Sequence, residues 1–251
     1  MINERDLLRY SRQILLKDIG TEGQEKLKNS KVLVVGTGGL GSSAIYYLTA
    51  AGIGTVGIVD FDTVNMSNLN RQILHFTDDL GRKKVDSAQE KLNKLNPGVN
   101  IIKHPVKLSA DNIEEIAGQY DVVIDAVDNF PTRYLITDSC YYMNKPVVEG
   151  AVLGFEGILM TIIPNKSPCY RCLYPVPPDE KMPASNEFGI IGMIAGTIGA
   201  MQALEAVKVI LGIGKTLSGR LLTFDGLNAD FRIIDLKRKS TCPLCGENAE
   251  K

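Results

Sequence analysis

The chain has 251 residues, of which 44% are hydrophobic and 23% charged, and its formal net charge is −1. A chain of this length can bury a full hydrophobic core. The balanced charge argues against bulk electrostatic attraction to nucleic acid or to an anionic membrane. The N-terminus is charged and lacks the apolar core of a signal peptide, so a cytoplasmic protein is expected.

Residues 1–30 are predicted to form a polar, amphipathic helical segment ahead of the first strand. Apolar runs then alternate with helical patterns, which is typical of right-handed βαβ units and a mostly parallel sheet. We therefore predict an α/β fold with a Rossmann-like nucleotide-binding part over residues 31–152. The predicted elements are the strands KVLVV, TVGIVD, NIIKHPV, DVVIDAV and KPVVEGAV and the helices 41–51 and 84–95.

The pattern changes from Gly154 onward. The runs GFEGILMTIIP, GRLLTFDG and ADFRIIDLKR alternate in the manner of antiparallel strands, so residues 153–251 are predicted to continue the sheet. The proline-rich, polar stretch 173–189 predicts a loop. We expect residues 1–251 to form a single domain.

Residues 190–212 are apolar enough to resemble a membrane span. Their uncharged part stops at Glu205, whereas a bilayer crossing needs about 17 or more such residues. Glu205 and Lys208 lie three residues apart and are predicted to pair on a helix surface. The segment is therefore interpreted as a buried core helix, and no membrane partner is expected.

The sequence KVLVVGTGGLG contains the pattern G-x-G-x-x-G at Gly36, Gly38 and Gly41, directly after a predicted strand. Asp60 ends the next strand, 19 residues beyond Gly41. Such glycines let backbone N–H groups approach phosphate, and the acid takes ribose hydroxyls. The pattern predicts a bound nucleotide, but by itself it leaves NAD and ATP open.

The polar stretch after Asp60 favours ATP. In a parallel sheet, residues just past the carboxyl ends of the strands gather over one crevice. Glycine amides, a guanidinium, an ammonium and a carboxylate would converge there, and this set suits a triphosphate with Mg²⁺. The candidate residues are Asp62, Asn65, Asn68, Asn70, Arg71, Gln72, Lys83, Lys84, Asp128, Asn129 and Arg133.

Four of the five cysteines form two Cys-x-x-Cys pairs, Cys169 with Cys172 and Cys242 with Cys245. The C-P-x-C-G form of the second pair indicates tetrahedral Zn²⁺ on four thiolates, which is a structural type of site. The 69 residues between the pairs require that the fold bring them together. A redox dithiol is the alternative. Cys140 is interpreted as a small buried hydrophobic residue.

The segments RYSRQILL, GTGGLGS, DFDTVNMSNLNRQ, DAVDN, CYRCL and CPLCG, with the pair Lys83 and Lys84, occur in order over about residues 4–246. In this the chain resembles the ThiF/MoeB/HesA family, bacterial relatives of the ubiquitin-activating enzymes. The resemblance implies an adenylyltransferase that uses ATP and Mg²⁺ to adenylate the C-terminal glycine of a small β-grasp sulfur-carrier protein ending in Gly-Gly. It also implies a homodimer.

The resemblance also assigns residues. Arg71, Lys84 and an Mg²⁺ ion on Asp128 are the expected catalytic elements, and Arg12 is expected to reach into the ATP site of the partner subunit. No protein nucleophile is needed, and the only two histidines, His75 and His104, form no triad; a packing or surface role is expected for His75. The predicted ATP-binding residues are Gly36, Gly38, Gly39, Gly41, Asp60, Asp62, Ser67, Asn68, Leu69, Asn70, Arg71, Gln72, Lys84, Asp128 and Asn129.

The chain departs from several relatives of that family in the loop before the long helix. Those relatives carry a cysteine that can form a covalent link with the carrier, whereas alignment places Ser185 there. A serine hydroxyl cannot replace a thiolate, because the reference pKa of cysteine is about 8.5 and that of a hydroxyl is far higher. We therefore predict adenylation without a loop-cysteine intermediate and a separate sulfur donor.

Two other functions are compatible with part of the pattern. An NAD-dependent oxidoreductase would explain the glycines and Asp60 but would leave Arg71, Lys84 and Asp128 without a role. A non-catalytic, zinc-bound scaffold for a carrier protein is the second alternative. Within the family, the sequence leaves open whether the carrier serves thiamine, molybdopterin, cysteine or another pathway.

Overall fold

The computed structural model describes residues 2–177 and 189–247. In it the strands form one eight-stranded sheet of order β3-β2-β1-β4-β5-β6-β7-β8. Strands β1 to β5 pair in parallel and β5 to β8 pair in antiparallel fashion. The strands are β1 Lys31–Val35, β2 Thr55–Val59, β3 Asn100–His104, β4 Val122–Asp125, β5 Val147–Leu153, β6 Glu156–Ile162, β7 Arg220–Asp225 and β8 Asp230–Asp235. The predicted α/β sheet with an antiparallel continuation is confirmed.

The α-helices described are α1 Glu4–Arg9, α2 Ser11–Ile14, α3 Gly20–Asn29, α4 Gly39–Ala51, α5 Lys84–Leu95, α6 Ile113–Ala117, α7 Phe130–Tyr142, α8 Tyr170–Leu173 and α9 Gly192–Leu211. The predicted helical segment at the N-terminus is three short helices. Helix α5 has the predicted bounds, and α4 begins two residues before Gly41.

The sheet is covered on both faces, which explains why the four successive residues Val32 to Val35 of β1 are all apolar and buried. Successive side chains of β1 point to opposite faces. Val32 and Val34 belong to the core under α4, α5 and α9, whereas Leu33 and Val35 belong to the core under α6 and α7. The strand order reverses between β2-β1 and β4, so a crevice opens there beyond the carboxyl ends of the strands.

Helix α9 is long and apolar enough to cross a membrane by length and composition, but half of its most apolar window is buried against the rest of the protein. It lies along α4 and strands β4 to β6, as predicted for a core helix. The predicted pair of Glu205 and Lys208 forms. It is not on the surface, because Glu205 is buried and also accepts hydrogen bonds from Thr161 Oγ1 at 2.6 Å and Leu217 N at 2.7 Å.

Candidate functional site

A cleft of about 960 Å³ opens at the carboxyl ends of β1, β2 and β4. It brings together the glycine-rich turn, the polar stretch after β2 and the start of α7. The predicted site residues that line it are Gly36, Gly38, Gly39, Asp60, Asp62, Asn70, Arg71, Gln72, Lys84, Asp128, Asn129 and Arg133. Gly41, Ser67, Asn68, Leu69 and Arg12 are not part of its lining.

The glycine turn, residues 36–41, joins β1 to α4. Gly36 has φ +95°, a conformation that favours glycine, and a Cβ there would lie 2.7 Å from the carbonyl oxygen of Ala126. A Cβ at Gly41 would collide with the carbonyl oxygen of Gly36. No side chain caps the N-terminus of α4 within the described residues, so the N–H groups of its first turn are available to a phosphate in the cleft.

Asp60 is bonded to the glycine turn from the next strand. Its Oδ2 accepts hydrogen bonds from Thr37 N at 2.9 Å and from Thr37 Oγ1 at 2.8 Å, while its Oδ1 accepts one from Asp62 N at 2.9 Å. The carboxylate predicted to bind ribose therefore also fixes the shape of the turn.

The two expected catalytic cations lie in this cleft. Lys84 has a side chain only 7% exposed, and its Nζ contacts Asp62 Oδ2 at 3.0 Å. Arg71 Nη1 donates to the carbonyl oxygen of Ser67 at 2.8 Å. Cations at the end of a cleft lined by amide groups provide electrostatic stabilisation for phosphoryl charge.

Asn68, although outside the lining, positions residues inside it. Its carbonyl oxygen accepts from the N–H groups of Arg71 at 3.1 Å and Gln72 at 2.9 Å, and its Oδ1 accepts from Asn65 N at 3.1 Å. Gln72 is buried, and its Oε1 has no hydrogen-bond partner among the described residues.

Asp128 and Asn129 follow β4 and face the same cleft. Asn129 caps α7, because its Oδ1 accepts from Thr132 N at 3.0 Å. Asp128 is exposed, and its Oδ1 lies 3.4 Å from Asn129 Nδ2. An exposed carboxylate at this position is of the type that binds Mg²⁺ beside phosphates.

A buried ionic group lies beneath the cleft, and sequence reasoning found only one member of it. We call Arg133, Asp125 and Glu149 the arginine cluster. Arg133 Nε lies 3.0 Å from Glu149 Oε1 and 3.6 Å from Asp125 Oδ2, and Nη2 donates to the carbonyl oxygen of Val127 at 2.9 Å. Val127 precedes Asp128, so the cluster supports the segment that carries the candidate metal ligand.

The arginine cluster holds two carboxyl groups for one guanidinium. Both carboxyl groups are fully buried, and burial raises the pKa of Glu149 to about 7 against the opposing attraction of Arg133. Burial likewise raises the pKa of Asp125. Each acid stands alone in an apolar strand, in VVIDAV and VVEGAV, and this isolation is the sequence signal that could have revealed the cluster.

Aromatic side chains form part of the cleft wall. Tyr170 and Tyr174 line it, with their ring centroids 5.2 Å apart. Tyr134 Oη donates to the carbonyl oxygen of Tyr174 at 2.8 Å and lies 3.1 Å from that of Val176. Sequence reasoning missed this wall, although the tyrosines lie beside the first cysteine pair.

The fold brings the two cysteine pairs together, as predicted. The sulfur atoms of the cysteine cluster, Cys169, Cys172, Cys242 and Cys245, all lie within 4.8 Å of one another. Cys169 Sγ is 3.4 Å from Cys242 Sγ, and Cys172 Sγ is 3.3 Å from Cys245 Sγ. Four thiolates at about 2.3 Å from a tetrahedral Zn²⁺ would be about 3.8 Å apart, so the cluster fits that ion.

Cys140 is fully buried, and burial raises the pKa of its thiol to about 12, so it is an inert core residue as predicted. The predicted role of Ser185 lies outside the described residues.

A sequence model of the ThiF family matches residues 10–244. The chain belongs to the ThiF family. The resemblance inferred from its motifs is therefore confirmed. The match extends through the parallel strands, the antiparallel strands and the first cysteine pair, and it ends one residue before Cys245.

Curated relatives support this membership. The sulfur carrier protein adenylyltransferase of Thermus thermophilus is 46% identical over 97% of this chain and 92% of its own length. Adenylyltransferase and sulfurtransferase MOCS3-2 of Zea mays is 48% identical over 97% of this chain and 51% of its own length. This ThiF-family chain thus spans about half the length of the MOCS3 relatives that it matches.

Solved structures show the same fold. E. coli MccB with ATP superposes with a TM-score of 0.83 at 22% identity, over 95% of this chain and 74% of that one. PaaA superposes with a TM-score of 0.79 at 26% identity, over 93% of this chain and 74% of that one.

Proposed function

We propose that this protein uses ATP to adenylate the C-terminal glycine of a small β-grasp sulfur-carrier protein. The observation that carries the proposal is the single cleft that joins the glycine turn, Arg71, Lys84 and Asp128. The names of the curated relatives, all adenylyltransferases, support the same reaction. An NAD-dependent oxidoreductase or a non-catalytic scaffold would leave this set of charged residues without a purpose.

In the proposed reaction, an oxygen of the carrier's terminal carboxylate attacks the α-phosphorus of ATP. The bond from that phosphorus to the bridging oxygen of the β-phosphate breaks, and pyrophosphate leaves with the electron pair. Arg71, Lys84 and the N–H groups of the glycine turn hold the phosphates and stabilise the charge that develops. Asp128 would hold Mg²⁺, which when bound offsets phosphate charge. No protein nucleophile is required.

We further propose that the chain forms one ThiF-like domain and acts as a homodimer in the cytoplasm. Arg12 lies on α2, exposed and away from the cleft of its own chain. Leu8 and Leu15, on the same helical segment, are 80% and 76% exposed. This position fits an arginine that completes the ATP site of the partner subunit.

All five cysteines lie at buried positions outside residues 178–188. We therefore propose that the reaction stops at the acyl-adenylate and that a separate donor supplies the sulfur. The carrier's pathway stays open.

The test is to incubate the protein with ATP and a panel of Gly-Gly-ended carriers and to measure carrier mass and pyrophosphate exchange. We expect a mass gain of AMP minus water with the cognate carrier. Arg71→Ala and Asp128→Ala should abolish it, with a rate loss of about 100-fold or more. Ser185→Ala and the surface variant Lys94→Ala should retain it. Absence of exchange with every carrier would refute the function, and loss in Ser185→Ala would refute the account of the loop.

The cysteine cluster is proposed to hold one structural Zn²⁺ per chain. Metal analysis of the purified protein should find zinc, and Cys172→Ser should lose it together with thermal stability. Cys140→Ser is the matched control, because that thiol is buried but outside the cluster, and it should retain the metal. Retention of zinc by Cys172→Ser would contradict the assignment.

A further inference from the structure

A line of buried side chains lies directly behind the glycine turn, and the reaction chemistry does not use it. The histidine chain consists of Asp79, Lys91, Ser87, His75 and Thr37. His75 is 3% exposed, and its ring joins two elements of the fold. Its Nδ1 lies 2.8 Å from Ser87 Oγ on α5, and its Nε2 lies 3.1 Å from the carbonyl oxygen of Thr37 in the turn.

The chemistry of the end groups fixes the direction of the two outer hydrogen bonds in this chain. The Thr37 carbonyl oxygen can only accept, so His75 Nε2 carries a proton and donates it. At the other end, Lys91 can only donate, and its Nζ lies 2.8 Å from Ser87 Oγ. Ser87 Oγ accepts from Lys91, and its hydroxyl lies 2.8 Å from His75 Nδ1, where it can give its proton to an unprotonated Nδ1.

We assign His75 as a neutral imidazole in the Nε2–H form. Burial lowers the pKa of His75, and this favours the neutral ring. Lys91 is itself ion-paired with the buried carboxylate of Asp79. The histidine chain is thus neutral overall, and each of its donors meets an acceptor.

The last bond of the chain orients a peptide group of the phosphate turn. All peptide bonds described are trans, so the C=O of Thr37 and the N–H of Gly38 point in opposite directions. Because His75 holds the carbonyl toward the protein interior, the N–H of Gly38 is turned toward the cleft that Gly38 lines. Asp60 fixes the other side of Thr37 through its N–H and hydroxyl groups.

We propose that His75 is a positioning residue for nucleotide binding, whose Nε2–H holds the Thr37 carbonyl so that the Gly38 N–H faces the phosphates. The inference rests on the proposed function only in taking ATP as the ligand of the cleft. According to this inference, ATP affinity depends on the Nε2–H donor of His75 and not on the size or the charge of its ring.

The first test reads the tautomer directly. The chain has two histidines, so ¹⁵N NMR of labelled protein resolves two rings, and a His104→Gln variant assigns them. At pH 7 we expect His75 to show a protonated Nε2 and an unprotonated Nδ1. A ring protonated at Nδ1, or at both nitrogens, would overturn the proposal.

The second test measures MgATP affinity by calorimetry without any carrier. Glutamine can place an N–H near the Nε2 position, whereas asparagine is too short to reach the Thr37 carbonyl. We expect His75→Asn to weaken ATP binding about tenfold and His75→Gln to change it by less than about threefold. His104→Gln is the matched control, because the half-buried His104 ring bonds Tyr120 Oη, away from the turn, and it should bind ATP as the wild type does.

Steady-state kinetics with the cognate carrier then separate positioning from general damage. In His75→Asn we expect the KM for ATP to rise while the KM for the carrier stays near the wild-type value. The melting temperature of His75→Gln should also stay near that of the wild type. Equal ATP affinities of the Asn and Gln variants, or unchanged affinity in both, would overturn the role of His75. A wild type that binds ATP but adenylates no carrier would refute the proposed function and leave this inference standing, whereas a wild type that binds no ATP would refute both.

Discussion

Two groups of buried charged side chains lie next to the same cleft: the histidine chain behind the glycine turn, and the arginine cluster at β4, β5 and α7. In the histidine chain every donor meets an acceptor, and one ammonium balances one carboxylate. The arginine cluster has two carboxyl groups for one guanidinium, and both Glu149 oxygens and Asp125 Oδ2 lack hydrogen-bond partners in the described part of the chain.

The difference shows two ways in which a protein interior can accommodate an ionisable side chain. Directed hydrogen bonds allow a charge to stay ionised in the interior, and they also fix geometry. Where such bonds are missing, a carboxyl group becomes neutral through a raised pKa instead. The histidine chain should therefore control the shape of the turn, and the arginine cluster should control stability.

The largest effect is expected from Arg133→Met, which leaves two buried carboxyl groups without a cation. We expect the free energy of unfolding, measured in urea, to fall by about 3–5 kcal/mol. Adding Glu149→Gln should restore part of the loss, because it removes one of the unpaired acids. A decrease below about 1 kcal/mol in the single variant would show that the cluster contributes little to stability.

A smaller effect is expected from Asp79→Asn, which leaves Lys91 without its carboxylate. We expect a loss of about 2–3 kcal/mol at pH 7. Although burial alone would raise it, hydrogen bonds from Lys91 and from Phe76 N lower the pKa of Asp79 to about 2. An acid whose pKa is lowered on folding stabilises the fold at pH values above its unfolded pKa, here 3.8. This stabilisation is lost as the pH falls toward 2. The variant should lack this acid-dependent loss in urea titrations between pH 5 and pH 2.

A pH slope of opposite sign is expected from Glu149. Its pKa is about 7 in the fold and 4.5 when unfolded, so the folded protein binds more protons between these values. Stability from this group should fall as pH rises from 4.5 to 7, by no more than about 1.4 kcal/mol per pH unit. Glu149→Gln should remove the slope, and an unchanged slope in that variant would assign it to another group.

The elements that carry local sequence signals were predicted most accurately. Helix α5 has its predicted bounds, and α4 begins only two residues early, at Gly39. Arg71 and Lys84 lie in the cleft, as their motif predicts. Both belong to the segment that leads from the carboxyl end of β2 to the start of α5, and such segments gather at one edge of a parallel sheet.

Features that depend on long-range contacts could not be predicted in the same way. Asp125 and Glu149 are cross-strand neighbours, a relation set by the register of β4 and β5 and not by their spacing. His75 was expected to have only a packing or surface role, since its partners Thr37 and Ser87 come from separate elements.

By itself, the sequence determined the family, the α/β order of elements and the types of residue that meet a nucleotide, because motif spacing and hydrophobic periodicity are properties of neighbouring residues. Only the tertiary structure decided how closely the four cysteine sulfur atoms approach, that His75 contacts the glycine turn and that one arginine faces two acids. Those relations join residues far apart in the chain, and they exist only where the packing of strands and helices brings their atoms within bonding distance.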